Sequence, residues 1–369
     1  MEYKYTHFIP QNTAPKGAKK IGVYNSKGEK VTSIALGGLT PPTSGKLYSF
    51  GLVSDIHLYK TDEYGNYPAW VDWFPNEKFE NALSHFKNEG CAFCVVCGDL
   101  TQTGLYERTD ESDPSTTYLD EAQFAKYEEI CNKHKDNIEI YELAGNHECY
   151  YSQPLTNNLD KWATYTGRGV LSYTITKGND LFIFCGEPNE NDVMTEVDFK
   201  WLKETLANNQ GERCFVFVHS YIEEDSGDPA DKRENSIFET WSYKTAFINL
   251  LKSYPNVILF HGHSHMKFEC QELDKKANYT DVNGFKSVHI PSLGRPRNLD
   301  LTPNISKPTP YADDEGQGYI VDVYEDCIVL NGLDLINNKP VPLGTYKIDT
   351  TLQTIEANTF TDSTGTIRT

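Results

Sequence analysis

Five apolar runs of strand length in this chain each bring up residues able to ligate a metal ion, and that coupling constrains the fold more than any other feature. LYSFGLVS at 47–54 precedes Asp55 and His57, and CAFCVVCG at 91–98 precedes Asp99. IEIYELAG at 138–145 precedes Asn146 and His147, CFVFVHS at 214–220 holds His219, and VILFHGH at 257–263 opens a cluster of His261, His263 and His265. Amphipathic, helix-like segments stand between the runs: FENALSHFK at 79–87, QFAKYEEICNKH at 123–134, VDFKWLKETLANN at 197–209 and a stretch near 239–253. Such alternation predicts an α/β chain, and runs that are continuously apolar predict sheets covered on both faces. Open α/β sheets place their sites at strand ends, which is where these clusters fall. Six of the ten His lie in them. Any one Asp-x-His or strand-end His is ordinarily a surface or core residue; the conjunction carries the weight. Gly98, Gly145 and Gly262 beside them allow the backbone to turn sharply next to a bound group.

At ~100–200 residues per domain, 369 residues accommodate one large domain with appendages or two modest ones. A hydrophobic share of 38% with 12% aromatic residues excludes a disordered chain. IGVYNSKGEKVTSIAL at 21–36 reads as two strands about an Asn-Ser-Lys-Gly turn, and the Gly/Pro-rich GGLTPPTSG at 37–45 as a linker. The expected organisation is an N-terminal β hairpin and linker over 1–45, a catalytic-type α/β domain over 46–315 and a C-terminal β region over 316–369. In the last, GYIVDVYED and CIVLNGL form hairpins, and the Thr-rich tail from Thr350 is expected to be loosely held. Long polar loops are expected at 102–119, 221–238 and 295–315, where function often resides.

Fifty-three acidic against 34 basic residues give a formal charge of −19, which opposes attraction to nucleic acid or an anionic membrane. An anionic substrate therefore needs a local positive centre. The nine Cys are odd in number and sit mostly in apolar runs, which predicts reduced core thiols rather than a disulfide scaffold. Residues three apart on a strand face opposite ways, so Cys91, Cys94 and Cys97 are expected as buried thiols, not a metal site. No apolar stretch approaches the ~18 residues of a membrane span. MEYKYTHFIPQ lacks the basic and apolar regions of a leader, so a cytoplasmic protein with no membrane partner is expected. Imidazole and carboxylate without thiolate suit Mn, Fe, Zn or Co better than Mg or Ca, or a Cys-rich structural zinc site.

In order, D-x-H at 55–57, GD at 98–99, GNHE at 145–148, the strand-end His219 and GHxH at 262–265 resemble the motifs of the calcineurin-like metallophosphoesterase superfamily, over roughly residues 48–270. The resemblance implies a four-layer α-β-β-α sandwich carrying an N-terminal β hairpin and a C-terminal β extension. It implies that Asp55, His57 and His265 bind one ion, that Asn146, His219 and His263 bind another, and that Asp99 bridges them. The cofactors implied are two divalent or mixed-valence transition metal ions, with Mn, Fe or Zn favoured. Two such ions bring +4 against two carboxylates, leaving about +2 to face a phosphate in an otherwise acidic protein. The implied activity is metal-dependent phosphoester hydrolysis, by a phosphatase or phosphodiesterase, through in-line attack of a metal-bridging hydroxide without a covalent intermediate. His147 matches the His of the GNH motif, which implies protonation of the leaving oxygen. In H-G-H-S-H the match selects His263 and His265 and leaves His261 as a strand-end residue. Leu100, Thr101 and Gln102 follow GD without the Tyr of purple acid phosphatases, which argues against an iron–tyrosinate centre.

The expected partner is a small, nucleotide-like phosphomonoester or phosphodiester. Arg295 and Arg297 in SLGRPRN are candidate phosphate contacts, since guanidinium matches phosphate oxygens. Trp70 and Trp73, within the cluster of Tyr64, Tyr67 and Phe74, are candidate stacking surfaces for a base or sugar, and read equally as residues of a packed loop. Two alternatives stay open: a non-catalytic, metal-stabilised module of a larger assembly, and a nuclease of the same superfamily, against which the acidic charge argues. Amidohydrolase-type dinuclear enzymes usually open with H-x-H, whereas this chain opens with D-x-H.

Overall fold

The computed structural model describes residues 20–24, 30–35 and 42–350, the last with breaks at 63, 70, 72, 105–106, 110–116, 150–154, 190, 210–212, 222–240, 270–278, 281–283, 298–311 and 313. Beyond 350 it describes 355–357, 360–361 and 367–368. Of the expected long loops, those at 221–238 and 295–315 fall mostly outside the described residues, as does Trp70.

In chain order the strands are β1 (Lys20–Tyr24), β2 (Lys30–Ala35), β3 (Lys46–Val53), β4 (Phe93–Cys97), β5 (Glu107–Thr109), β6 (Thr117–Leu119), β7 (Glu139–Leu143), β8 (Ser172–Lys177), β9 (Asp180–Cys185) and β10 (Cys214–Val218). They continue with β11 (Val257–His261), β12 (Tyr279–Thr280), β13 (Lys286–His289), β14 (Gln317–Tyr324), β15 (Cys327–Asp334), β16 (Lys339–Pro340), β17 (Tyr346–Asp349), β18 (Ile355–Ala357), β19 (Phe360–Thr361) and β20 (Ile367–Arg368). The helices are α1 (Pro75–Asn88), α2 (Asp120–His134), α3 (Leu159–Thr166), α4 (Glu196–Asn208) and α5 (Lys244–Lys252).

Two sheets form the body. The first runs β18-β17-β15-β14-β3-β4-β7, with β16 beside β15; the second runs β12-β13-β11-β10-β9-β8. Within them β3, β4 and β7 are mutually parallel, as are β9, β10, β11 and β13. The strands are apolar on both faces, and each face finds its own layer. Phe50, Leu52, Phe93 and Val95 meet Phe182, Phe184, Phe215, Phe217 and Phe260 between the sheets. The intervening residues Val53, Cys94 and Val96 turn the other way, onto Phe79, Leu83, Phe86, Phe124, Tyr127 and Trp162 of α1, α2 and α3. Ile183, Val216 and Leu259 likewise meet Phe199, Leu202, Phe247 and Leu251 of α4 and α5. Burying a large apolar side chain contributes roughly 1.5–3 kcal/mol, so three such layers dominate folding. The result is the expected α-β-β-α sandwich.

Three local expectations change. The tail beyond Thr350 is not merely loosely held: β18 adds to β17 in the first sheet, while β19 pairs β2 and β20 pairs β19, joining the N-terminal hairpin in a four-stranded sheet. Helix α3 has no counterpart in the sequence reading, although its spacing of Leu159, Trp162 and Tyr165 is helical and packs on the α1–α2 layer. The loop expected at 102–119 contains the β5–β6 hairpin. Segment 316–349 supplies β14, which pairs antiparallel with β3 and so lies within the first sheet. The eight described cysteines are free thiols, and Cys91, Cys94 and Cys97 are buried as expected. No helix among the described residues is long and apolar enough to cross a membrane.

Candidate metal centre

The carboxyl ends of the parallel strands meet at one edge of the sandwich, and the candidate ligands follow them directly. Asp55 and His57 follow β3, Asp99 follows β4, Asn146 follows β7, His219 follows β10, and His263 and His265 follow β11. The turns interlock through main-chain bonds. Asp55 N–H donates to Gly98 O at 3.1 Å, His57 N–H to Asp99 O at 3.0 Å, and Gly262 N–H to His219 O at 2.9 Å.

Five of these residues carry backbone that non-glycine residues avoid. Asp55, His57, Asp99, His263 and His265 have φ of 52°, 50°, 52°, 70° and 61°. Each such conformation costs on the order of 1–3 kcal/mol, and its clustering here directs these side chains into a common space. Two glycines make that space. Gly98 turns at φ 84°, and a Cβ there would lie 2.6 Å from His219 Cγ. A Cβ on Gly145 would lie 2.6 Å from Asp99 N and 2.7 Å from His219 Cδ2.

Each carboxylate is held by one oxygen and presents the other. Asp55 Oδ2 accepts from His263 N–H at 3.0 Å, while its Oδ1 lies 3.1 Å from His265 Nε2 and 3.8 Å from His219 Nε2. Asp99 Oδ1 accepts from His147 N–H at 2.9 Å. Its Oδ2 lies 3.2 Å from His219 Nε2 and 3.6 Å from His57 Nε2. The imidazoles are oriented from behind: His219 Nδ1 on Cys97 O at 2.8 Å, and His265 Nδ1 on Arg295 O at 3.0 Å. His263 faces inward through Nδ1, 2.9 Å from Asn146 Oδ1 and 3.3 Å from His219 Nε2.

Two overlapping groups result. Asp55, His57, Asp99 and His265 offer atoms within 4.8 Å of one another, and so do Asp99, His219 and His263. Asn146 joins the second group through His263, and Asp99 belongs to both. Burial pushes the Asp55 carboxyl up, but His265 and His219 overcome it and hold the group below the usual carboxylate range. Burial acts the same way on Asp99, and His219 and His147 hold it well down. Burial depresses the His219 imidazole, yet Asp99 and Asp55 hold it well above its ordinary value. Two buried carboxylates thus remain anionic, and among the described residues Asp55 Oδ1 receives no well-directed hydrogen bond. Such an arrangement has the charge and donor set of a cation site, and nitrogen and oxygen donors without sulfur suit first-row transition ions.

The remaining sequence candidates sit differently. His147 lies at the mouth, its Nδ1 2.6 Å from Gln102 O and its Nε2 4.0 Å from Asp99 Oδ2. His261 ends β11 fully buried, where desolvation lowers its pKa to about 3. Arg295 stacks its guanidinium 4.0 Å over the Trp73 ring. Trp73 itself, expected as a stacking surface for substrate, is 1% exposed, and its indole N–H points to His57 O at 3.5 Å. Trp73 therefore packs beneath the site, and Arg295 covers it. Arg297 is also buried, and its backbone N–H donates to His265 O at 2.8 Å.

Glu148 closes the GNHE motif, and nothing in its sequence position marks it for a structural task. It is fully buried and accepts from Asp99 N–H at 3.0 Å, Gly145 N–H at 2.7 Å and Thr101 N–H at 3.1 Å. It joins the turns after β4 and β7. Burial, then the Asp99 charge, push its carboxyl up to about 8. Glu187 plays a similar part after β9, accepting from Ser220 N–H at 3.0 Å beside His219. Glu187 likewise carries no such mark in the sequence.

A two-sheet sandwich with an aspartate–histidine cluster across its strand ends is the architecture of the metallophosphoesterases. The family model of the calcineurin-like phosphoesterases matches residues 48–267, more than half of the chain, and the protein belongs to that family. Among solved structures, a dimetal phosphatase from Danio rerio is similar at 14% identity and a TM-score of 0.52, covering 83% of this chain and 100% of its own. A purple acid phosphatase from yellow lupin (Lupinus luteus) seeds is similar at 13% identity and a TM-score of 0.49, covering 89% of this chain and 59% of its own. No curated protein matches the chain.

Proposed function

We propose that this protein hydrolyses small phosphomonoesters or phosphodiesters of nucleotide-like size with a dinuclear metal centre. The observation that carries the reading is Asp99: one carboxylate shared by two ligand groups, with its Oδ2 near both His57 and His219. In this reading Asp55, His57 and His265 hold one ion, Asn146, His219 and His263 the other, and Asp99 both. Two ions bound there supply Lewis acidity and lower the pKa of water towards neutrality, so that attack on phosphorus needs no covalent enzyme intermediate.

The chain's own residues do the rest. The backbone turns after the strands fix the ligand side chains before substrate arrives, which removes reorganisation from the reaction. His147 acts as general acid: a proton on Nδ1 is held by Gln102 O, leaving Nε2 to carry and release a second. Its side chain is 19% exposed, against 2% for His57 and 8% for His265, which favours it as the imidazole that meets a leaving group. Arg295, on the face of Trp73 and joined through its carbonyl to His265, contributes positive charge at the rim. The formal charge of −19 supports a small substrate over a long polyanion.

The test is turnover of p-nitrophenyl phosphate and bis-p-nitrophenyl phosphate by metal-stripped protein with Mn, Zn, Fe or Co added back. Metal-restored hydrolysis of either is expected, and the preferred one separates phosphatase from phosphodiesterase. Silence on both with two ions bound per chain would favour a non-catalytic, metal-stabilised module. For His147, changing it to Ala should slow an alkyl phosphate by about 10²–10⁴-fold and p-nitrophenyl phosphate far less, because only the poor leaving group needs the proton. Equal losses on both substrates would remove the acid role.

A further inference from the structure

We propose that His289, acting through Ser264, is a positioning residue that sets both ions at once. It rests on reading His263 and His265 as ligands, one in each group. Between those two left-handed residues sits Ser264, itself buried, whose N–H donates to Gly262 O at 2.9 Å and closes a tight turn. Its hydroxyl lies 2.7 Å from His289 Nε2 and accepts from Met266 N–H at 3.3 Å. The oxygen therefore ties the middle of the ligand turn both to its exit and to a neighbouring strand.

His289 is built to be a fixed point. It ends β13, in register with His261 on β11, and Ile290 N–H donates to His261 O at 2.7 Å. Its carbonyl accepts from Tyr319 OH at 3.1 Å, and Tyr319 comes from β14 in the other sheet. Both His289 and Tyr319 are fully buried. Beside the bonds of His263 N–H to Asp55 and Gly262 N–H to His219 at its start, the middle of the GHSH turn is thus tied to both sheets by the side-chain bond from Ser264 to His289. Without that bond, two residues in a costly conformation are freer to relax, and His263 and His265 swing together. Partners behind metal ligands typically change metal affinity 10–100-fold.

The predicted signature is coupled weakening. Cobalt(II) titration of the metal-stripped full chain should show both binding steps weakened by about 10–100-fold in Ser264→Ala and in His289→Leu, with altered visible absorption at each step. His289→Gln, whose side-chain amide can reach the position of Nε2, should recover most of the affinity, which a purely space-filling role would not predict. By contrast, His219→Ala should weaken one step preferentially. Unchanged affinity in Ser264→Ala, or equal behaviour of the Leu and Gln variants, would overturn the proposal. Loss of cooperative unfolding in metal-free Ser264→Ala would also overturn it, since the bond would then serve the fold. Failure of the wild-type chain to bind cobalt would overturn the ligand reading beneath it.

Discussion

Replacing Asp99 by Asn is expected to cut metal-dependent turnover by roughly 10³-fold or more, about 4 kcal/mol of transition-state stabilisation, and to reduce the ion content of the protein. The change removes a negative charge from the oxygen that lies 3.2 Å from His219 Nε2 and 3.6 Å from His57 Nε2. The other oxygen accepts from His147 N–H, a bond that the Asn amide oxygen can keep, so the turn should hold. Metal analysis beside kcat decides the matter. A variant that keeps two ions and near wild-type turnover would show that Asp99 does not bridge them.

The second large effect is expected from Glu148→Ala, and it falls on stability. Its carboxylate is the acceptor for three buried backbone N–H groups from the turns after β4 and β7. Leaving each donor unsatisfied costs about 1–3 kcal/mol, so for three donors a loss on the order of 3–9 kcal/mol is expected, with a clear fall in melting temperature. Because those turns carry Asp99 and Asn146, metal affinity should fall with it. Calorimetry on the metal-free variant separates the two: an unchanged melting temperature would mean that water or rearrangement replaces the carboxylate.

Both predictions depend on features that were unequally visible in the sequence. The strands could be read because a sheet covered on both faces demands continuous apolar runs, and VVC, FVFV and VILF are such runs. The candidate ligands could be read because each lies within a few residues of a strand end, a local relation. Glu148 lies in the GNHE motif, yet its role lies in bonds to Asp99 and Thr101, more than 45 residues away. His289 was one of four His outside the clusters, and only the pairing of β13 with β11 brings it to Ser264. Trp73 illustrates a reading that the sequence leaves open. An aromatic residue beside a motif reads equally as a platform or as packing, and burial beneath Arg295 decides for packing.

The sequence by itself determined the class of fold, the alternation of the central strands with α1, α2, α4 and α5, and the identity of the metal-capable residues, since all of these rest on composition and spacing along the chain. Tertiary structure decided which groups lie close enough to share a candidate ion site. It also decided that one carboxylate lies within both groups, that five of the residues take left-handed backbone, and that the tail pairs with the N-terminal hairpin. Those outcomes depend on contacts between segments far apart in the chain, whose strain and desolvation are balanced only when both sheets have closed.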